Sequence, residues 1–479
     1  MKKEKRLSPT ELPLAFEIDP EPVKERWTGR AGIPMLVEAS RRLGVPNSVK
    51  RNVTAKQRDR GFDEATMVES FIILNAAGGE CLDDFEILRE DEGLSELIGH
   101  KFPSPAAARK FLYQFHNEEK MEEARQGVLP GHRAYIPGEN EALSGLGEVN
   151  RELVQAVGRR CAAEKVATVD QDATIIESRK REAEPTYEGE RGYQPMLAVW
   201  AEMNLILADE FRDGNVPAMM RPLTVAKRAL AALPETVKEI YYRGDSACHE
   251  TELIRWLRDE NREGGPRGFI GFGISVRMSE ALREAIKTTV NEESWEGLKE
   301  SDPGVIRECA EVVFVSNNEV ENKESKPLRY VAIRMRKRQG ELFGDGSSVK
   351  HFAVVTNIWD WSPAKLIEWH RQKAGTIEPI HNVVKNELAG GVMPCGRFGA
   401  NAAWLRMTVL SHNVITALKR LALPPELLNA RPKRLRFLIF NVVGQVIHHA
   451  RGMFLRLVTT RERIADYWLK GSASLAEAI

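Results

Sequence analysis

Asp170 and Asp172 stand two residues apart near the end of the apolar run KVATVDQDATII, and Asp245 closes a second apolar run, VKEIYYRGDSA. In extended chain, alternate side chains project to one face, so Asp170 and Asp172 share a face. Carboxylates at the ends of neighbouring strands can share a divalent cation, because Mg2+ takes oxygen ligands and keeps positions open for water and phosphate. A strand-terminal aspartate also serves as a turn residue, and Ser246 behind Asp245 fits that use too. Glu378 opens the run TIEPIHNVVKNEL and Lys385 follows seven residues later, which on a helix is two turns along the same side. A metal-ligating carboxylate beside an ammonium that holds phosphate suits phosphodiester chemistry. The helix dipole alone also favours a Glu at the start and a Lys near the end.

Other chemistries lack their motifs. The chain has no G-x-x-x-x-G-K-[ST], H-E-x-x-H or G-x-S-x-G, and no strand followed by G-x-G-x-x-G. Its five cysteines, Cys81, Cys161, Cys248, Cys309 and Cys395, are scattered without a C-x-x-C pair, which points to a reducing cytoplasm. His448 and His449 lie in an apolar run that suits packing better than metal binding.

The elements that must position the acids follow from periodicity. KVATVDQDATII reads as a strand; YQPMLAVWAE and LILADEFRDGN read as two more around a turn at Met203-Asn204. A helix over 219–233, the strand VKEIYYRGDSA, a helix over 249–261 and the strand RGFIGFGISV come next. After a helical stretch, AEVVFVSN, PLRYVAIRMRK and HFAVVTNI are strand-like, and two helices are expected over 363–374 and 376–388. The alternation implies an α/β core, over residues 161–276 and 351–425, with a β-rich insertion over 277–350. Before it, residues 1–126 read as an all-helical domain, and the Pro- and Gly-rich LPGHRAYIPGENEALS begins a linker and helix over 127–160. Within the helical region LDDFEILREDEGLSELIG is acidic, whereas SPAAARKFLYQFH is basic and opens on a Ser-Pro cap signal. That second helix could lie across a DNA backbone or pack with a solvated basic face.

The 479 residues carry 69 Lys+Arg against 69 Asp+Glu, with 42% hydrophobic and 29% charged residues, which excludes a disordered or fibrous chain. The balance is uneven: from Asn401 onward there are 12 Lys+Arg against 4 Asp+Glu, so a basic segment over 426–479 containing Arg431, Lys433, Arg434 and Arg436 could meet a polyanion. No apolar run of about 18 residues appears, and the basic opening MKKEKRLSPTELPLAF has no apolar core, so neither a membrane span nor a secretory signal is expected.

The runs DQDATIIESRKREAEPTYEGERGYQP, YYRGDSACHETELI and GTIEPIHNVVKNEL, with FGANAAWLRMTVLSHNV behind them, resemble bacterial insertion-sequence transposases of the DDE group. The stretch from FEIDPEP to FPSPAAARKFLYQFH resembles the N-terminal region of one branch of that group. The resemblance implies a ribonuclease-H-like core with a β-rich insertion. Its metal triad falls on Asp172, Asp245 and Glu378, with Asp172 preferred to Asp170 because a small residue and Thr follow it. The pattern Tyr-x2-Arg-x3-Glu-x6-Lys keeps Glu378 and Lys385 but meets Arg371 and Ala374 at its Tyr and Arg positions. One inserted residue places His370 and Lys373 in those roles. The resemblance further implies two Mg2+ or Mn2+ ions and binding of double-stranded DNA at terminal inverted repeats and target. It also implies cut-and-paste chemistry through a hairpin, and a homodimer in the synaptic complex. The resemblance also implies that Trp295, in the insertion, stacks on an extruded base, with a packing role in the core as the alternative. A metal-dependent nuclease without strand transfer and an inactive DNA-binding descendant are the rival readings.

Overall fold

In the computed structural model of this chain the described residues are 19, 21, 25–56, 61–299, 304–316, 327–338, 342–450, 452–459 and 462–478. The opening MKKEKRLSPTELPLAF lies outside them, as do most of FEIDPEP and the last residue of AEVVFVSN.

A short strand, β1 (Arg26–Thr28), precedes a helical region made of α1 (Ile33–Arg42), α2 (Val45–Asn52), α3 (Glu64–Ala77), α4 (Phe85–Arg89), α5 (Glu92–Ile98), α6 (Pro105–Tyr113), α7 (Glu118–Gln126) and α8 (Glu141–Arg160). The runs around the aspartates then form strands: β2 (Val166–Ala173), the small β3 (Ile176–Glu177), β4 (Glu184–Pro185) and β5 (Arg191–Tyr193), then β6 (Met196–Trp200) and β7 (Leu205–Glu210). Next come α9 (Pro222–Ala231), β8 (Glu239–Gly244), α10 (Thr251–Arg258), β9 (Gly271–Ser275) and α11 (Glu280–Thr289). The insertion supplies β10 (Glu296–Gly297), β11 (Val305–Val312) and β12 (Arg329–Lys337), and β13 (Val349–Thr356) returns to the sheet. Two long helices follow, α12 (Pro363–Glu387) and α13 (Phe398–Leu421), and the chain ends with α14 (Pro432–Leu435), the hairpin β14 (Gly444–His449) and β15 (Gly452–Leu457), and α15 (Glu462–Ala478).

Among the described residues nine strands join in one mixed sheet of order β10-β11-β12-β13-β9-β8-β2-β6-β7. β2, β8 and β9 are parallel neighbours, whereas β6 and β7 on one side and β13 to β10 on the other are antiparallel. The strands β10, β11 and β12, which fall within residues 277–350, thus widen the sheet. The β6–β7 turn falls where Met203-Asn204 predicts it, with Asn204 at φ 58°, a left-handed position that Asn tolerates better than most residues.

The two sheet faces are covered differently. Gln171 donates to the Pro222 carbonyl at the start of α9 and Tyr242 to Cys248 Sγ, so this face meets the helices between β7 and β9. Asp170 and Arg243 turn to the other face, where α12 lies. Gly273 of β9 allows α12 to come close: a Cβ there would lie 2.9 Å from Trp369 and 3.3 Å from His370.

α13 is buried from Gly399 to Lys419, so it is the axis of the molecule and not a surface element. A helix buried on every side must be enclosed by other elements, with its polar side chains paired inside, and α1, α3, α6, α8 and β7 pack around it. Phe71 of α3 meets Trp404 edge to face at 5.9 Å, and Asn75 donates to Ser411 Oγ at 3.0 Å. The N-terminal helices thus share their core with the sheet region. That region also includes β1, which pairs with β14 and so joins the two ends of the chain. In α6, Ala108, Phe111 and Leu112 are buried while Arg109 and Lys110 face outward. None of the five cysteines is in a disulfide, and among the described residues no helix is long and apolar enough to cross a membrane.

A buried ionic cluster fixes α13 to the sheet. The Arg406 guanidinium, 3% exposed, meets Asp209 of β7 and Glu139 at 3.0 Å, and Arg228 of α9 reaches Glu139 at 2.7 Å. Burial alone would raise the Glu139 carboxyl, but Arg406 and then Arg228 outweigh it and bring its pKa down to about 2. A carboxyl depressed by folding contributes stability that is complete above its unfolded pKa and is lost as pH falls toward the folded value. The stability difference between wild type and Glu139→Gln is therefore expected to be on the order of 2–3 kcal/mol at neutral pH. It should shrink between about pH 4.5 and 2. Denaturant unfolding across that range measures it, and a difference independent of pH would contradict the assignment.

Candidate active site

Asp172 and Asp245 come together because β2 and β8 run parallel in register. Gln171 is paired with Gly244, so the next residue on each strand brings the two aspartates side by side. The Asp172 carboxylate accepts from the Ala173 backbone N–H at 3.0 Å and Asp245 from that of Ala247 at 3.0 Å, which fixes both at the strand ends.

Asp170, the alternative first acid, is occupied. Its carboxylate is fully buried and receives two hydrogen bonds from Arg243, at 2.6 and 2.9 Å, and one from the Thr376 hydroxyl of α12. Arg243 also donates to the Trp369 carbonyl at 2.6 Å and lies 5.3 Å from that ring. This set ties β2, β8 and α12 together and leaves Asp172 as the acid that faces the open strand ends.

α12 starts at Ser362, whose side chain accepts from the Lys365 backbone N–H, with Pro363 in the first turn where its missing N–H costs nothing. It then runs unbroken to Glu387, where two helices were expected over 363–374 and 376–388. Pro379 removes one backbone hydrogen bond, yet Ile367, His370, Lys373, Ile377, Ile380 and Val384 form a continuous buried stripe that holds the helix on its neighbours. Tertiary packing overrides the local signal.

That stripe decides which α12 residues meet the aspartates. Lys373 Nζ lies 3.0 Å from Asp172 Oδ2, with its side chain 10% exposed. Burial works against the Lys373 ammonium, but Asp172 and Asp245 outweigh it and hold its pKa above the ordinary value. Burial raises the Asp245 carboxyl; Lys373 opposes that shift and the neighbouring Asp172 charge adds to it. His370 is buried and donates to the Gly244 carbonyl at 3.1 Å, and burial lowers its pKa to about 4, so the ring is a neutral packing link just before Asp245. Lys385 donates to the Ile175 carbonyl at 3.1 Å, between β2 and β3.

Glu378 stands apart from this group. It is exposed, on the helix side next to the buried stripe, and among the described residues no three His, Cys, Asp or Glu side chains lie close enough to hold a metal. Arg371 is half-buried, with Arg307 and Glu368 in its electrostatic surroundings. Trp295 is at the far side of the sheet extension, where Arg334 covers its ring at 4.4 Å and His351 lies 6.2 Å away. One face of the proposed stacking ring is thus already covered by a guanidinium that is itself paired with Glu292 and Glu308.

The basic C-terminal residues divide into two kinds. Arg436 donates to the carbonyls of Asn75, Ala76 and Glu387, capping the ends of α3 and α12 together. This carbonyl capping gives Arg436 a folding role. Arg431 is held by the Glu387 carboxylate at 2.6 Å. Lys433 and Arg434 are exposed.

Sequence reasoning passed over Tyr187. It is 78% exposed on the turn between β4 and β5, which Gly189 closes at φ 97°. This small sheet begins directly after β2, and the charges of Asp172 and Asp245 reach the phenol. An aromatic followed by Glu-Gly between two short polar strands was the available signal.

Comparison with solved structures finds similarity to the piggyBac transposase in a synaptic complex with hairpin DNA, at 9% sequence identity and a TM-score of 0.42, over 94% of this chain and 82% of that one. The comparison with curated proteins gives no match. A family model described as transposase DDE domain group 1 matches residues 25–465, which spans every element from β1 into α15 and includes the paired aspartates. The chain belongs to the DDE transposase family, group 1.

Proposed function

We propose that this protein is a DNA transposase that binds the terminal inverted repeats of an insertion sequence, cleaves there and joins the 3′ ends to target DNA. The observation that carries the reading is the Asp172–Asp245 pair at the ends of adjacent parallel strands, with α12 laid across them. The order β7-β6-β2-β8-β9, three antiparallel strands followed by two parallel additions, supports a ribonuclease-H-like core.

The donor chemistry fits a divalent cation: Asp172 and Asp245 offer hard oxygen ligands, and a cation, the Lys373 ammonium, already balances them. Asp172 and Asp245 would hold Mg2+ or Mn2+, with Glu378 on α12 as the third ligand. Bound ions of this kind supply a nucleophilic water and stabilise the leaving oxygen of a phosphodiester. The chain's own part is to hold the carboxylates in register, to place Lys385 beside the end of β2, and to present Tyr187 at the mouth of the site. Two DNA ends must be held at once, so a homodimer is the working assembly. The test is incubation of the full chain and Mg2+ with a duplex carrying the inverted repeat that flanks its gene and a target plasmid. Free 3′-hydroxyls, hairpin ends and joined products are expected, whereas nicking without joining would identify a nuclease.

DNA contact by the exposed C-terminal cations is testable separately. Replacing Lys433 and Arg434 together with Ala is expected to make the salt dependence of end binding shallower, by about one logarithmic unit per lost phosphate contact. An unchanged slope in the folded variant would show that these side chains are only a solvated surface.

A further inference from the structure

Two half-buried carboxylates on neighbouring strand ends repel each other, and withdrawing such a pair from water without a counter-charge is costly. Here the counter-charge comes from α12. Arg243 is committed to Asp170, Lys385 to the Ile175 carbonyl, and His381, whose pKa burial lowers to about 3, is neutral. Among the described cations Lys373 is thus the one whose ammonium meets the pair, 3.0 Å from Asp172 Oδ2. Its side chain enters from the buried stripe of the helix, so the charge is delivered from the protein side and not from solvent.

We propose that Lys373 is a tethered counter-ion: in the metal-free protein its ammonium holds the Asp172–Asp245 pair together, and an incoming divalent cation must displace it. The proposal rests on the reading that these two aspartates hold the metal. An ammonium and a divalent cation beside the same carboxylate oxygens repel, so the metal binds against the work of moving Lys373 away. The flexible four-carbon stem allows that movement without unfolding α12. Lys373 would then set a threshold for metal binding that falls when DNA phosphate arrives to receive the released ammonium.

The test is Mn2+ binding to the full-length, DNA-free protein, followed by the electron paramagnetic resonance of free Mn2+. Lys373→Met keeps the stem and removes the charge, and it is expected to bind Mn2+ about tenfold more tightly than wild type. Equal or weaker binding would overturn the proposal. A second measurement needs no variant: acylation of Lys373 in the wild-type protein, read by mass spectrometry, is expected to rise at least about threefold when Mn2+ is added. Acylation indifferent to Mn2+ would overturn the proposal even if Lys373→Met fails to fold. Asp245→Asn distinguishes loss of the metal site from loss of the counter-ion. If it binds Mn2+ as wild type does, the metal-site reading itself falls. If it loses Mn2+ while Lys373→Met matches wild type, only the counter-ion falls.

Discussion

Asp172→Asn, Asp245→Asn and Glu378→Gln are each expected to lower the rate of strand cleavage by about a thousandfold or more, with binding to the DNA end changed by less than about threefold. If the three carboxylates hold the metal as proposed, each replacement would remove one oxygen ligand, and what would be lost is the activated water and the stabilised leaving oxygen, not the phosphate contacts that hold the duplex. Folding should survive, because Asp172 and Asp245 are only partly buried and Glu378 is exposed. Cleavage by a single-turnover gel assay and binding by mobility shift separate the two effects. Normal cleavage by Glu378→Gln would show that the third ligand lies elsewhere, a meaningful outcome since among the described residues Glu378 is not grouped with the two aspartates.

A second large effect belongs to stability. Asp170→Ala leaves the Arg243 guanidinium buried, 2% exposed, without its carboxylate. Breaking a buried pair from one side typically costs about 3–5 kcal/mol, whereas removing both charges costs far less. Asp170→Ala should therefore unfold at markedly lower denaturant, and the double variant Asp170→Ala with Arg243→Met should recover part of that loss. Chemical unfolding of the three proteins decides it. If the single variant is as stable as wild type, Asp170 is not the clamp between β2 and α12, and its exclusion as a metal ligand loses its basis.

What the sequence made legible was what local pattern controls. The apolar runs ending in Asp172 and Asp245 became adjacent strands, and the Met203-Asn204 turn and the extended sheet followed the expected order. Partners distant in sequence were not legible. Arg243 reads as a polar residue at a strand end, and only its contacts with Asp170 and Trp369 reveal a buried clamp. Arg436 sits in a run of charges, yet it caps α3, some 360 residues earlier. β1 is three residues long and pairs with β14 near the other end of the chain, which no periodicity could show. The continuity of α12 was hidden for the opposite reason: Gly375 and Pro379 are strong local breakers, and a long buried face overrules them.

If Asp172 ligates the divalent cation that performs the cleavage, changing that ligand will change which metal supports the reaction. Cys in place of Asp172 offers a thiolate, which accepts Mn2+ or Cd2+ far more readily than Mg2+. Cleavage of the terminal-repeat duplex by Asp172→Cys is measured in each metal against wild type. Asp172→Cys is expected to be inactive with Mg2+ and to regain cleavage with Mn2+ or Cd2+, while the wild-type protein works with Mg2+ and stops when the metal is chelated. Undiminished cleavage by Asp172→Cys in Mg2+, or wild-type cleavage that survives chelation, would contradict it.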